Sequence, residues 1–342
     1  MSLIEAATGA VERLPVPDAV ARAGIAFLVG RTGRRLDGAG PHREADFAAD
    51  MAAFPVALHA DDANAQHYEL PAEFFAHVLG PRRKYSCCLY ADAATTLAQA
   101  EERALAETAA HAGLADGQTI LELGCGWGSL SLWLAERFPT ARITAVSNAH
   151  GQRRHIEQEA ARLGLKNLRV VTADMNAFEP DCVFDRVVSV EMFEHMANWG
   201  ALLARVRLWL RPQGRLFVHV FSHRAAPYRF DHADPGDWIA QHFFTGGIMP
   251  SHGLIRQFSH IFALEQEWRW SGTNYARTAA DWLANYDRNA DSILPILHDV
   301  YGEQAPLWRR RWRLFFLATG GLFGHDGGAA WGISHYRLRP TA

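Results

Sequence analysis

Four cysteines, Cys87, Cys88, Cys125 and Cys182, are all that 342 residues contain. Cys87 and Cys88 are adjacent and the others irregularly placed, which does not suit a disulfide framework, so a reducing, cytoplasmic setting is expected. An excess of positive charge is also missing. The formal net charge is −3, which lacks the concentrated basic field that nucleic-acid binding needs, and no nucleic-acid partner is expected. No uninterrupted apolar run approaches ~18 residues. The opening stretch MSLIEAATGAVERLPVPDAV carries acids and proline where a signal peptide needs a basic start and an apolar centre. Neither export nor an integral membrane segment is expected, although an amphipathic helix could still touch a membrane surface. Internal repeats and low-complexity tracts are absent as well.

What is present is an ordinary enzyme-like composition, with 49% apolar and 21% charged residues, enough for one sizeable core and a smaller elaboration. The first eighty residues are rich in alanine and arginine. They hold an amphipathic pattern at AVARAGIAFLVG and a glycine-laden break at RTGRRLDGAGPHR, giving an N-terminal helical segment over 1–89. From Thr119 the rhythm changes. TILELG, RITAVS, LRVVTAD, FDRVVSV and GRLFVHVF read as strands, and SLSLWLAERF, GQRRHIEQEAARLG and WGALLARVRLWL as helices. Such alternation indicates an α/β fold, a parallel sheet with helices on both faces, over 90–225. Beyond Ser222 an aromatic, glycine- and histidine-bearing segment fits a pocket cover with the last core strands, over 226–342.

ILELGCGWGSL places Gly124, Gly126 and Gly128 between a strand and a helix. Glycines there allow a tight turn and close approach to a ligand, and the helix start offers unpaired N–H groups. The spacing is neither the dinucleotide pattern G-x-G-x-x-G nor a P-loop, which needs a lysine. With Glu122 just before the loop, the ligand that fits carries an amino-acid portion: S-adenosylmethionine. In sheets of this kind ligands sit beyond the C-terminal strand ends. That predicts contacts from Ser147 and Asn148, from Asp174 and Met175, and from Glu191.

SVEMFEHMANW follows the fourth strand run and gathers Glu191, Glu194 and His195. If the chain turns helical there, the three share one face. They could be an acid–base set, a metal site or a polar helix start. No second ExxH or HxxxH partner appears, and His219, His223, His232 and His242 lack paired ligand spacing, so no metal is expected. Trp268, Trp270 and Tyr275 read as core or as a lid over an aromatic or cationic substrate. Cys87 and Cys88 read as buried small hydrophobes rather than nucleophiles.

KYSCCLY, LELGCGWGSL, SNAHGQ, EMFEHM, FFTGGIMPS and NYARTAADW occur in an order that resembles the cyclopropane-fatty-acid and mycolic-acid cyclopropane synthase superfamily of S-adenosylmethionine-dependent methyltransferases. The doubled cysteine of YSCC and the tail WRLFFLATGGLFGHDGGAAWGISHYRL resemble its coclaurine N-methyltransferase branch. The likeness runs over roughly residues 60 to 340. It implies a class I, Rossmann-like fold with a seven-stranded, mostly parallel sheet and a C-terminal helical cap. It implies that Tyr85 and Ser86 close over the cofactor, that Gly124, Gly126 and Gly128 form its loop, and that Gln152 holds the ribose. Glu194 with His195 would be the base pair, and Glu191 an electrostatic anchor. The implied reaction is methylation of a small hydrophobic or aromatic amine, releasing S-adenosylhomocysteine. The alternative is cyclopropanation or C-methylation of unsaturated acyl chains or phospholipids, with bicarbonate held by Cys87, Glu194, His219 and Tyr275. A further cysteine that some of those synthases carry falls near Thr319 here. A homodimer stays open.

Overall fold

The computed structural model describes residues 12–14, 16–40, 42–58, 70–234 and 237–341. Most of the opening stretch that bears on export lies outside them. The alternation read from Thr119 folds as five parallel strands: β1 (Thr119–Leu123), β2 (Arg142–Ser147), β3 (Leu168–Thr172), β4 (Phe184–Val190) and β5 (Leu210–His223). Two more, β8 (Phe262–Ser271) and β9 (Trp331–Pro340), complete a seven-stranded sheet of order β3-β2-β1-β4-β5-β9-β8, with β9 antiparallel to both of its neighbours. β6 (Tyr228–Arg229) and β7 (Ile248–Met249) form a separate two-stranded ribbon.

Strand residues alternate between two cores, because successive side chains leave a strand on opposite faces. Leu121, Val187 and Val218 join Trp199, Leu202 and Val206 in one cluster, whereas Ile120, Val188 and Phe217 join Leu105, Leu130 and Leu134 in another. Both faces of the sheet are therefore covered, as a parallel sheet requires.

The helices begin with α1 (Asp18–Asp37), α2 (Arg43–Asp50) and α3 (Ala72–Val78). α4 (Leu97–Ala112) opens with a capping box between Thr96 and Gln99 and stops at left-handed Gly113. α5 (Ser129–Arg137), α6 (His150–Leu163) and α7 (Trp199–Trp209) connect the parallel strands. The glycine-laden break expected from Arg31 does not begin there: α1 continues through Gly33 to Asp37. The cap is α8 (Gly272–Arg288), α9 (Ala290–Tyr301) and α10 (Ala305–Gly324). Trp282, Tyr286, Trp312 and Phe316 fill its core, joined by Ala21 and Leu36 of α1.

Candidate active site

β1 ends at the point where the sheet order reverses, with β2 on one side and β4 on the other. There the chain needs a turn that ordinary residues resist. Gly124, Gly126 and Gly128 have φ of 77°, 51° and 82°. A Cβ on Gly124 would lie 2.6 Å from the Cβ of Met192, and one on Gly128 2.7 Å from Cγ1 of Ile156. Gly126 has nothing within 4 Å and faces open space. Gly128 caps the N-terminus of α5 and lines neither cavity.

Two cavities meet at this loop. The first, about 760 Å³, is lined by Gly124, Gly126, Ser147, Asn148, Gln152, Asp174, Met175, Glu191 and His195 among others. The second, about 560 Å³, is lined by Lys84, Tyr85, Ser86, Glu122, Trp127 and Ser129, and shares Gly124, Gly126 and Glu191 with the first. The residues named after each strand thus line one cavity. Gln152 Oε1 accepts from Ser147 Oγ at 2.5 Å, while its buried Nε2 has no partner among the described residues. Ser129 Oγ and Trp127 Nε1 are buried orphans in the second cavity. Glu122, in the lining of the second cavity, accepts from Ser131, and burial pushes its carboxyl up to about 7.

Between the cavities stands Glu191. No α-helix follows β4. Glu191 takes φ 48°, and only a short 3-10 turn, Phe193–His195, precedes α7. The face that a helix would have given Glu191, Glu194 and His195 is therefore divided. Glu191 Oε1 accepts from the Cys87 N–H at 2.9 Å and faces Nε2 of His219 at 3.2 Å, and its Oε2 accepts from the Tyr275 hydroxyl at 2.7 Å. Its carboxyl is raised by burial, against the pull of Lys84, the Cys87 N–H and Tyr275. Glu194 Oε1 accepts from the Phe221 N–H at 2.7 Å. It is wholly buried, with Oε2 lacking a partner among the described residues, and burial plus the neighbouring Glu191 push its carboxyl well up. His195 lines the first cavity with its ring stacked on Phe244 at 5.1 Å. Burial lowers it to about 4.

Cys87, His219 and Tyr275, the groups expected around bicarbonate, are brought together around the carboxylate of Glu191. Trp268 and Trp270 form no lid: Trp268 stacks on His111 at 3.9 Å and Trp270 packs on His219 and His335. Both cysteine thiols of YSCC are buried and pushed up, Cys87 and Cys88 alike. Among the described residues no group of three or more His, Cys, Asp or Glu could hold a metal ion.

The family model for mycolic acid cyclopropane synthetase matches residues 58–324. The chain belongs to the mycolic acid cyclopropane synthetase family. It is 33% identical over 285 residues to (S)-coclaurine N-methyltransferase of Thalictrum flavum subsp. glaucum, covering 82% of this chain and 79% of that one. To the cyclopropane-fatty-acyl-phospholipid synthase of Escherichia coli K12 it is 28% identical over 260 residues, 75% of this chain and 63% of that one. The crystal structure of a coclaurine N-methyltransferase bound to N-methylheliamine and SAH superposes with a TM-score of 0.92 at 31% identity, over 99% of this chain and 100% of that one. The chain is an S-adenosylmethionine-dependent methyltransferase.

The residues fit that cofactor. Three unsatisfied buried donors, Gln152 Nε2, Ser129 Oγ and Trp127 Nε1, line the two cavities, and buried donors without acceptors are costly unless a ligand supplies them. Ser129 and Trp127 escaped the sequence reading, although Ser129 is the first residue of the helix after the glycine loop, a position where anions are favoured.

Proposed function

We propose that this chain transfers a methyl group to the nitrogen of a small hydrophobic or aromatic amine, with Glu191 as the proton acceptor. One observation carries the reading: a carboxylate of the chain's own, Glu191, fills the ring of donors that bicarbonate would need. A second anion in direct contact with it would be strongly disfavoured in so buried a place.

The bound cofactor supplies an electrophilic methyl group, and aligned contact with the nucleophile supplies much of the acceleration. Gln152 is suited to a ribose hydroxyl, and Ser129 and Trp127 to a carboxylate. An amine arrives protonated and must lose its proton to become a nucleophile. Glu191 lies at the junction of both cavities and its basicity is raised by burial, so it takes up that proton more readily than an ordinary carboxylate. His195, lowered to about 4, is a neutral imidazole under those conditions and serves as a hydrogen-bond partner that orients the amine. Glu194 keeps the backbone of β5 in place from behind. All four cysteines are free, Cys87, Cys88 and Cys125 buried and Cys182 exposed, which supports a cytoplasmic setting.

A second reading rests on the retained Cys87, Glu194, His219 and Tyr275: bicarbonate-assisted methylation or cyclopropanation of unsaturated acyl chains. Mass spectrometry of products from a mixed panel of amines and unsaturated phospholipids separates the two. Methyl addition to amines supports the first, and incorporation into acyl chains alone sinks it.

A further inference from the structure

Behind Glu191 the structure holds a chain of three imidazoles that the reaction so far described does not use. Nδ1 of His219 lies 2.8 Å from Nε2 of His335, and Nδ1 of His335 lies 2.8 Å from Nδ1 of His111. Nε2 of His111 in turn faces the Glu107 carboxylate at 3.3 Å, with the Glu107 side chain 44% exposed. His219 sits on β5, His335 opposite it on β9, and His111 in the last turn of α4. The chain thus runs from the reaction centre to the surface, flanked by Trp268 stacked on His111 and Trp270 beside His335.

Its hydrogens can be assigned from one end. A carboxylate only accepts, so the nitrogen facing Glu191, Nε2 of His219, carries the hydrogen. Burial holds His219 and His335 well below the usual histidine range, so each is neutral, with one N–H and one bare nitrogen. Nδ1 of His219 is then bare and takes the hydrogen of His335 Nε2. Nδ1 of His335 is bare in its turn and takes the hydrogen of His111 Nδ1. That orientation satisfies the three links from Glu191 to His111; at the fourth, Nε2 of His111 faces the Glu107 carboxylate, so three neutral rings are one hydrogen short, and the shortfall falls at this outer pair, where the Glu107 side chain is 44% exposed to water.

We propose that His335 and His111 are positioning residues, which lock His219 as an Nε2–H donor and so hold Glu191 in its proton-accepting form between turnovers. This rests on the reading of Glu191 as the base. Without His335 the bare nitrogen of His219 loses its donor, the opposite tautomer becomes accessible, and that tautomer would set a lone pair against the carboxylate. Other charges and titratable groups around these rings are fixed by the fold: Lys84, His195, Glu194, Cys87 and Tyr275 about Glu191, and Arg337 with Glu107 about His111.

The test is the pH profile of kcat/KM on a methyl-accepting amine, with 15N NMR of the histidines in the full-length protein saturated with S-adenosylhomocysteine. For His335→Leu the acid limb moves up by about one pH unit, since a hydrogen bond to the charged form favours that form. kcat/KM falls about tenfold on that limb and recovers at higher pH, with the cofactor KM unchanged. His335→Gln keeps an N–H near the Nε2 position and restores the limb. His219 reads as the Nε2–H tautomer in the parent protein and as a mixture in His335→Leu. A uniform fall in activity at every pH, or a His219 that reads as Nδ1–H in the parent protein, would overturn the proposal. If His335→Leu does not fold, His111→Phe, which keeps a ring under Trp268, must move the limb in the same direction by a smaller amount, and an unmoved limb overturns the proposal. Full activity in Glu191→Gln would remove the base beneath the proposal, a failure distinguishable from the chain's own because the tautomer is read without turnover.

Discussion

Glu191 pairs a backbone that suits glycine with a side chain that glycine lacks. A φ of 48° costs a residue with a Cβ on the order of 1 kcal/mol or more, and such strain survives where the surroundings enforce it and function uses it. Glu191→Gln preserves the shape but gives up the base, so kcat should fall about a hundredfold or more, while S-adenosylhomocysteine affinity by calorimetry stays within a few fold. Gln152→Ala removes a buried, unpartnered donor from the lining of the first cavity. Its effect should appear as a cofactor affinity weaker by about 0.5–1.5 kcal/mol, with kcat at saturation little changed. Glu122 gives a stability signature. Its carboxyl is raised from 4.5 to about 7 in the fold, so the stability it confers is present below its unfolded value and lost as pH rises through about 7. Against Glu122→Gln, chemical denaturation should show the parent protein losing about 1–3 kcal/mol across that window. An unchanged difference would place Glu122 elsewhere than in its buried, proton-holding niche.

At the scale of elements, the glycine loop joins packing to chemistry. Gly124→Ala would drive a Cβ to 2.6 Å from that of Met192 at φ 77°, so the residue after Glu191 must shift. Thermal unfolding should show a loss of about 1–3 kcal/mol, and cofactor binding should weaken with it. The turn of this loop was legible in the sequence, though the roles of Trp127 and Ser129 were not, and β1 to β5 and α5 to α7 were legible because period-2 and period-3.6 apolar patterns there agree with local propensity. The 3-10 turn after β4 was not. Its EMFEH spacing suits a helix, and the contacts that force Glu191 into a left-handed conformation come from Cys87, His219 and Tyr275, all far away in sequence. The same blindness hid the histidine chain, since His111 and His335 are separated by 224 positions and His335 sits inside an ordinary apolar strand pattern. For Trp268 and Trp270 the sequence left core and lid both open, and β8 places them in packing against His111 and His335.

In the molecule as a whole, one sheet brings together two cavities at the ends of β1 to β4, Glu191 at the end of β4, and a cap of helices whose Tyr275 closes the ring of donors around Glu191. The central claim is that this carboxylate stands in for bicarbonate. It is tested most directly by the rate of amine methylation in carbon-dioxide-free buffer with and without added bicarbonate, in the parent protein and in Glu191→Gly. Glycine suits the φ of 48°, so the substitution empties the ring of donors without straining the backbone. The account predicts that the parent protein turns over equally in both buffers, and that Glu191→Gly is inactive without bicarbonate and partly restored by it. A parent protein that slows when bicarbonate is withdrawn would contradict the account.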